Sequence, residues 1–284
     1  MKKALCNILG NILGSAAVLM GILSVYSRAE PAGSMLAVDT ALVVAVDVSN
    51  SVDDERYKLQ MEGIATALED KSVIDAITNG PNGGILFSMV TWADRPNFSL
   101  PWMRIGSKEE AIAVAAKVRK LPHQAGEFTC MTRMMRSVND KIMSQVPAQA
   151  TRLVLDVSGD GTDNCNAEEP IETVRDELVA NGVTVNGLPI NVGDPSAPVG
   201  EGAYRAPGTS FEDASLPNAP RSPTTLEEWF KAHVKGGTGA FVLPANGYAD
   251  FGRAIRQKFV IEISGIAPPK RFAAVETEPA TARR

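Results

Sequence analysis

The chain has 284 residues, enough for one large α/β domain or two small ones, and its 44% hydrophobic and 21% charged content is that of a globular protein. A formal net charge of −5 argues against a nucleic-acid partner, which would call for a basic surface. The two histidines, His123 and His233, stand in no triad or zinc-ligand pattern.

Residues 1–29 differ from the rest. Lys2 and Lys3 precede an uncharged stretch over 8–26, and Ser27-Arg28-Ala29 places small residues where a signal peptidase reads. This reads as a secretory signal cleaved before Glu30, with secretion or a periplasmic location as the consequence; an N-terminal membrane anchor left uncleaved is the alternative. Cleavage removes three of 28 basic and none of 33 acidic residues, which moves the net charge from −5 to −8. No later segment approaches membrane-spanning length. Cleavage also removes Cys6 and leaves Cys130 and Cys165, an even number for which a disulfide is the default in an oxidising compartment.

The first element of the mature chain is the run ALVVAVDVSNS over 41–51. Six consecutive apolar residues suit a strand buried on both faces in the middle of a parallel sheet. Asp47, Ser49 and Ser51 then fall where the strand opens into a loop, at the carboxyl edge where open α/β sheets bind ligands. A carboxylate and two hydroxyls so close together suit either a hard cation or phosphate chemistry.

Asp53, Asp54 and Glu55 complement the dipole at the start of a helix that reaches about Asp70, and Leu59, Ile64, Ala67 and Leu68 supply its apolar face. After the Asn79–Gly84 turn, 85–92 predicts a second strand, and 97–105 an antiparallel edge strand that tolerates Pro101. Helices follow over 108–121 and 131–146, the second with Met134, Met135 and Met143 as core rather than metal ligands. Between them lies a loop carrying Gly126 and Thr129. A strand over 152–157 ends in Ser158-Gly159-Asp160-Gly161, and a helix over 168–181 stops at Gly182. A fifth strand spans 183–192.

The Pro/Gly-rich stretch 193–225 reads as an irregular surface insertion near the same sheet edge, with a disordered excursion without function as the alternative. A short helix over 226–234, a sixth strand over 239–243 and a closing helix over 248–264 complete the pattern, and 266–284 forms a disordered tail. The alternation predicts one α/β domain over 38–265: a Rossmann-like, doubly wound, mostly parallel six-stranded sheet with one antiparallel edge strand and helices on both faces.

Three loops converge on one sheet edge, carrying Asp47, Ser49 and Ser51, then Thr129, then Asp160. This arrangement resembles the metal-ion-dependent adhesion site, or MIDAS, of von Willebrand factor type A domains. Asp47, Ser49 and Ser51 match its Asp-x-Ser-x-Ser motif, Thr129 its threonine loop and Asp160 the acid after its fourth strand. The sequences DVSGDG, LEEWFKAHVKGGTGAFV and DFGRAIRQKFVIEI look like the secreted bacterial family catalogued as domain of unknown function 1194. The chain departs from the wider pattern at Glu127 and Phe128, where small residues are usual before the threonine.

The resemblance implies an Mg2+ site, or one for Mn2+ or Ca2+, held by Asp47, Ser49, Ser51, Thr129 and Asp160. Two full negative charges facing a dication leave it short of one carboxylate, which an Asp or Glu of a protein partner would supply. It implies a binding module rather than a catalyst. If both loops line that site, Cys130 and Cys165 come together as a disulfide that ties them.

The enzyme alternative is an aspartyl-phosphate hydrolase of the haloacid-dehalogenase type with Asp47 as nucleophile. That chemistry needs a general acid two residues later, where this chain has Ser49. A calcium loop at Asp160, Thr162 and Asn164 lacks the central glycine and terminal glutamate of an EF-hand. Asp156, inside an apolar strand, reads as a structural acid, and Asp94 and Asp163 as residues of the site's rim.

Overall fold

A computed structural model describes residues 36–165, 169–199 and 224–267. The expected signal segment 1–29, most of the expected 193–225 insertion and the chain from 268 onward lie outside the described residues.

The strands are β1 (Ala37–Asp47), β2 (Ile85–Trp92), β3 (Pro96–Ile105), β4 (Gln149–Gly159) and β5 (Val183–Pro189). They form one sheet in the order β3-β2-β1-β4-β5. β1 pairs in parallel with β2 and β4, β4 in parallel with β5, and β3 runs antiparallel at the edge. The central position of β1 follows from its unbroken apolar run. Leu42, Val44 and Val46 join one core layer while Val43 and Ala45 join the other, so only a residue sequence without polar interruption fits there.

One face is covered by α1 (Asp54–Glu69), α2 (Lys71–Thr78), α3 (Lys108–Val118) and α7 (Phe251–Ser264). The other is covered by α4 (Met131–Lys141), α5 (Ile171–Ala180) and the short α6 (Leu226–Trp229), which continues as a π-turn over Phe230–Val234. Met131, Met134, Met135 and Met143 are buried in that second layer, as core residues. Asn181 and the left-handed Gly182 (φ 82°) end α5.

The sixth strand is not formed. Residues 239–243 run beside β5, joined by isolated parallel bridges at Gly187↔Val242 and Ile190↔Ala245. Between those bridges stands Pro189, whose missing amide interrupts the ladder although its carbonyl still accepts from Ala245 N at 2.9 Å. Other elements end short of their sequence-based bounds. α4 stops at Lys141 and gives way to a 3₁₀ turn at Met143–Gln145, and the closing helix is split into a 3₁₀ turn at Tyr248–Asp250 followed by α7. Helix α2 was not expected. Asp70 caps it by accepting from Ser72 N at 2.8 Å, and Val73 and Ile77 bury its inner face. At the neck of the insertion, Val199 N donates to Thr224 O at 2.8 Å.

No described helix is long and apolar enough to cross a membrane.

Candidate metal centre

The register of the sheet brings two of the three predicted loops together. Asp47 is level with Trp92 of β2, and its neighbour Val46 with Ser158 of β4, so the chain leaves β1 and β4 at the same edge. Asp47 is fully buried, its backbone carbonyl accepting from Gln60 Nε2 of α1 at 3.1 Å. Its Oδ1 accepts from the Ser49 amide at 2.7 Å. Ser49 Oγ lies 3.2 Å from Ser51 Oγ, and Ser51 Oγ donates to Asp160 Oδ1 at 2.6 Å. Four of the five predicted residues are thus linked through consecutive hydrogen bonds.

The second oxygen of Asp47 is different. Oδ2 is buried and has no hydrogen-bond partner among the described residues. Space at that atom depends on a glycine: a Cβ on Gly159 would stand 3.0 Å from Oδ2. Burial, reinforced by the Asp160 carboxylate, pushes the Asp47 carboxyl up to about 7 against the Ser49 hydrogen bonds and the nearby Asp160 backbone amide, which favour its charged form. A buried, underused carboxylate beside two hydroxyls and a second carboxylate is a hard-oxygen donor set, suited to a divalent cation that takes oxygen ligands. Among the described residues no group of three or more His, Cys, Asp or Glu side chains could hold a metal, so any cation here would depend on hydroxyl oxygens as well as acids.

Thr129 comes to the same edge by another route. It is buried, and its Oγ1 would be 3.8 Å from a Cβ placed on Gly161, the residue after Asp160. No hydrogen bond joins it to Asp47, Ser49, Ser51 or Asp160. Instead its amide donates to Asn164 Oδ1 at 2.7 Å, and its carbonyl accepts from Asn164 N at 3.1 Å. Cys130 and Cys165 form a disulfide with Cα atoms 4.9 Å apart, locking the two loops side by side.

The rim acids prove to be loop clamps. Asp94 accepts from the amides of Glu127 and Phe128, at 3.0 and 2.7 Å, which accommodates the two large residues before Thr129 by fixing their backbone. Asp163 accepts from Thr132 N at 3.0 Å and Cys165 N at 3.2 Å. Asn164, a member of the discarded calcium loop, is committed to Thr129. His123 stacks on Tyr57 and reaches Asp54 at 2.7 Å, and His233 pairs with Glu172; both lie away from the cluster's hydrogen bonds.

Two further contributors, Tyr248 and Arg56, lie outside the predicted residues. Tyr248 donates to Asp160 Oδ2 at 3.0 Å. Arg56 Nη1 donates to the Ser51 carbonyl, lies 4.0 Å from Asp160 Oδ2, and carries its guanidinium 5.3 Å from the centre of the Tyr248 ring. Arg56 could have been noticed as the one basic residue in the acidic first turn of α1. The hydrolase alternative gains nothing: Ser49 occupies the place of the required acid and donates its amide to Asp47.

Residues 37–267 match the family described as "Protein of unknown function (DUF1194)". No curated protein matches the chain. Among solved structures, proximal thread matrix protein 1 from the mussel byssus, in its second crystal form, superposes with a TM-score of 0.54 at 14% identity over 81% of this chain and 49% of that one. The same mussel protein with a zinc-occupied MIDAS motif gives 0.52 at 18% identity, over 81% and 49%. A von Willebrand factor type A structure from Catenulispora acidiphila gives 0.49 at 17%, over 80% and 43%. At such identities the likeness concerns the fold, and this chain spans about half the length of the mussel protein.

Proposed function

The chain belongs to the DUF1194 family and has a von Willebrand factor type A-like fold, and from that premise we propose that it is an exported, metal-dependent protein-binding module. The observation that carries the reading is Asp47 Oδ2, buried without a partner beside Ser49, Ser51 and Asp160. Burying an ionisable oxygen and leaving it unpaired costs several kcal/mol unless something compensates it, on the order of 1–3 for the hydrogen bond alone. A divalent cation is the compensation that suits this donor set. Asp47, Ser49, Ser51, Thr129 and Asp160 would hold it. Mg2+ and Mn2+ fit the oxygen donors, and the zinc found at the MIDAS motif of the mussel protein adds Zn2+ to the ions to be tried.

When bound, the ion supplies a positive centre that a carboxylate can approach. The chain's own residues do the rest. Asp47 and Asp160 bring only two negative charges, and Arg56 beside Asp160 offsets part of them, so the loaded edge would be electropositive and would favour an Asp or Glu side chain of a partner. Ser49 and Ser51 contribute neutral oxygens that add ligands without satisfying that charge. Export is supported by the signal-like pattern of residues 1–29 and by the disulfide, which suits an oxidising compartment.

The test is calorimetric titration of Mg2+, Mn2+ and Zn2+ into the purified chain and into Asp47→Ala. Saturable binding to the first and none to the second is expected. Equal affinity for both would overturn the site. Capture of a protein from periplasmic extract that is lost in EDTA, and lost again in Asp47→Ala, then tests the binding role.

A further inference from the structure

A second group of charges is sealed inside the core, between β4 and α7. Asp156 of β4 stands opposite Val44 of β1 and Asn186 of β5, and is 1% exposed. Lys258 and Glu262, one helical turn apart on α7, have side chains with no exposure at all. Lys258 Nζ lies 3.3 Å from Asp156 Oδ1 and 3.0 Å from Glu262 Oε1. It donates to the Gly187 carbonyl at 3.4 Å and sits 4.4 Å from the centre of the Phe241 ring. Asn186 Nδ2 donates to Glu262 Oε1 at 2.8 Å.

As an ion network this group is poorly made. Two carboxylates face one ammonium, and both oxygens of Asp156 together with Oε2 of Glu262 have no hydrogen-bond partner among the described residues. A buried pair stabilises only when its remaining hydrogen bonds are satisfied, and an unmatched charge in such a place is costly. Burial and the neighbouring Glu262 charge raise the Asp156 carboxyl well above its ordinary value, which favours its neutral acid form against the pull of the Lys258 ammonium. The cluster therefore holds a carboxylic acid, an amine and a proton acceptor within contact of one another.

The geometry points to an amide cross-link between Lys258 Nζ and Asp156 Cγ, formed by the folded chain itself with loss of one water. Glu262, as carboxylate, takes a proton from the Lys258 ammonium. The freed amine attacks Cγ of the neutral Asp156 acid, forming the C–N bond. The second nitrogen proton passes to the departing hydroxyl, which leaves as water, and Glu262 keeps the first proton. Charge is zero before and after, nothing is oxidised or reduced, and no co-reactant is needed.

Asp156 is the acyl partner rather than Glu262 because Glu262 is anchored by Asn186, whereas neither Asp156 oxygen has a hydrogen-bond partner among the described residues. Lys258 Nζ lies 3.3 Å from Oδ1 of the carboxyl group it would attack, so the two groups need no bimolecular encounter, and effective molarities of such paired groups are very large. The product replaces a buried charge group by neutral amide and acid, removing the desolvation cost that the ions impose. It would staple the last helix to an interior strand of the sheet.

The experiment is a tryptic map of the purified full-length chain after reduction and alkylation of its cysteines. The expected result is one species joining residues 153–175 to 257–270, uncut after Lys258 and lighter by one water than the two peptides together. Cleavage after Lys258, with both peptides free and at full mass, would overturn the proposal. Cyclisation at Asp160-Gly161 also loses one water but leaves the peptides separate, so it counts against the cross-link. Glu262→Gln, which keeps the shape and the contact with Asn186, is expected to abolish the joined species; if the join persists there, the proton role of Glu262 is wrong. The map of the unsubstituted chain decides the cross-link even if the variant does not fold.

Discussion

Tyr248 donates a hydrogen bond to Asp160 at 3.0 Å across 88 residues of sequence, and so ties the turn before α7 to the loop after β4. Burial and the charges of Asp160 and Asp47 push the Tyr248 phenol far above its ordinary range, so it remains protonated and a donor at any physiological pH. Asp160 is thereby held at both oxygens, by Ser51 on one and Tyr248 on the other.

Tyr248→Phe keeps the ring under Arg56 and removes only the hydroxyl. Partners that orient a metal-binding carboxylate typically contribute about 10–100-fold in affinity. Mn2+ affinity measured by calorimetry is therefore expected to fall by about tenfold in this variant, with little change in its urea midpoint. An unchanged affinity would show that Asp160 is not positioned through Tyr248.

How far the sequence reaches is visible in this pair. Asp160 is legible because it ends an apolar strand on a glycine turn, and because Ser51, which donates to it, and Ser49 lie at alternate positions after another such strand. Tyr248 is not legible, since nothing local in the sequence distinguishes it from any other tyrosine and its role exists only once α7 has packed. The same holds for Lys258 and Glu262: their spacing places both on one helix face, yet only the fold shows that this face meets Asp156. The sixth strand fails for a local reason that was present in the sequence, the proline at 189, but its effect depends on which residue it would have paired with. Helix α2 is parted from α1 by the single extended residue Asp70, and its eight residues, although they include Val73, Ile74, Ala76 and Ile77, span too few turns for a helical period to stand out.

Asp94→Ala removes the acceptor for the amides of Glu127 and Phe128. Hydrogen bonds to a charged group contribute about 1.5–3 kcal/mol, and two amides lose their partner at once. A loss of about 2 kcal/mol in urea unfolding is expected, together with weaker cation binding, because the same loop carries Thr129. If stability falls while affinity is unchanged, Thr129 is not a ligand.

Replacing both Cys130 and Cys165 by serine opens a cross-link between residues 35 apart in sequence. The chain-entropy relation gives about 3–4 kcal/mol for a loop of this size. The variant is expected to unfold at correspondingly lower urea. The hydrogen bonds between Thr129 and Asn164 still join the loops, so cation binding is expected to survive in the folded fraction, weakened rather than abolished.

The close approach of α1 and α7 rests on Gly63, where a Cβ would stand 2.9 Å from Phe251 Cδ1 and 3.0 Å from Gly252 Cα. Gly63→Ala has to push backbone, not a flexible side-chain end, and overpacking of this kind costs about 1–3 kcal/mol. Gly252→Ala meets only Gly63 Cα at 3.5 Å and is expected to be far milder in the same urea experiment. Because Arg56 and Gln60 come from α1 and Tyr248 from the turn before α7, Gly63→Ala should also lower Mn2+ affinity.

Gly159→Ala separates a working site from a merely structural cluster. The added methyl would stand 3.0 Å from Asp47 Oδ2 and 3.6 Å from Trp92 Cη2, so it fills the space at the Asp47 oxygen that has no hydrogen-bond partner among the described residues. Within a strand an alanine is no worse than a glycine, and the folded state should lose little, within about 1 kcal/mol. If that space serves a cation, binding disappears from the calorimetric titration while the urea midpoint barely moves. If the Asp47 carboxyl is simply a buried acid kept neutral by its surroundings, the substitution disturbs packing around Trp92 and lowers stability without a binding signal to lose.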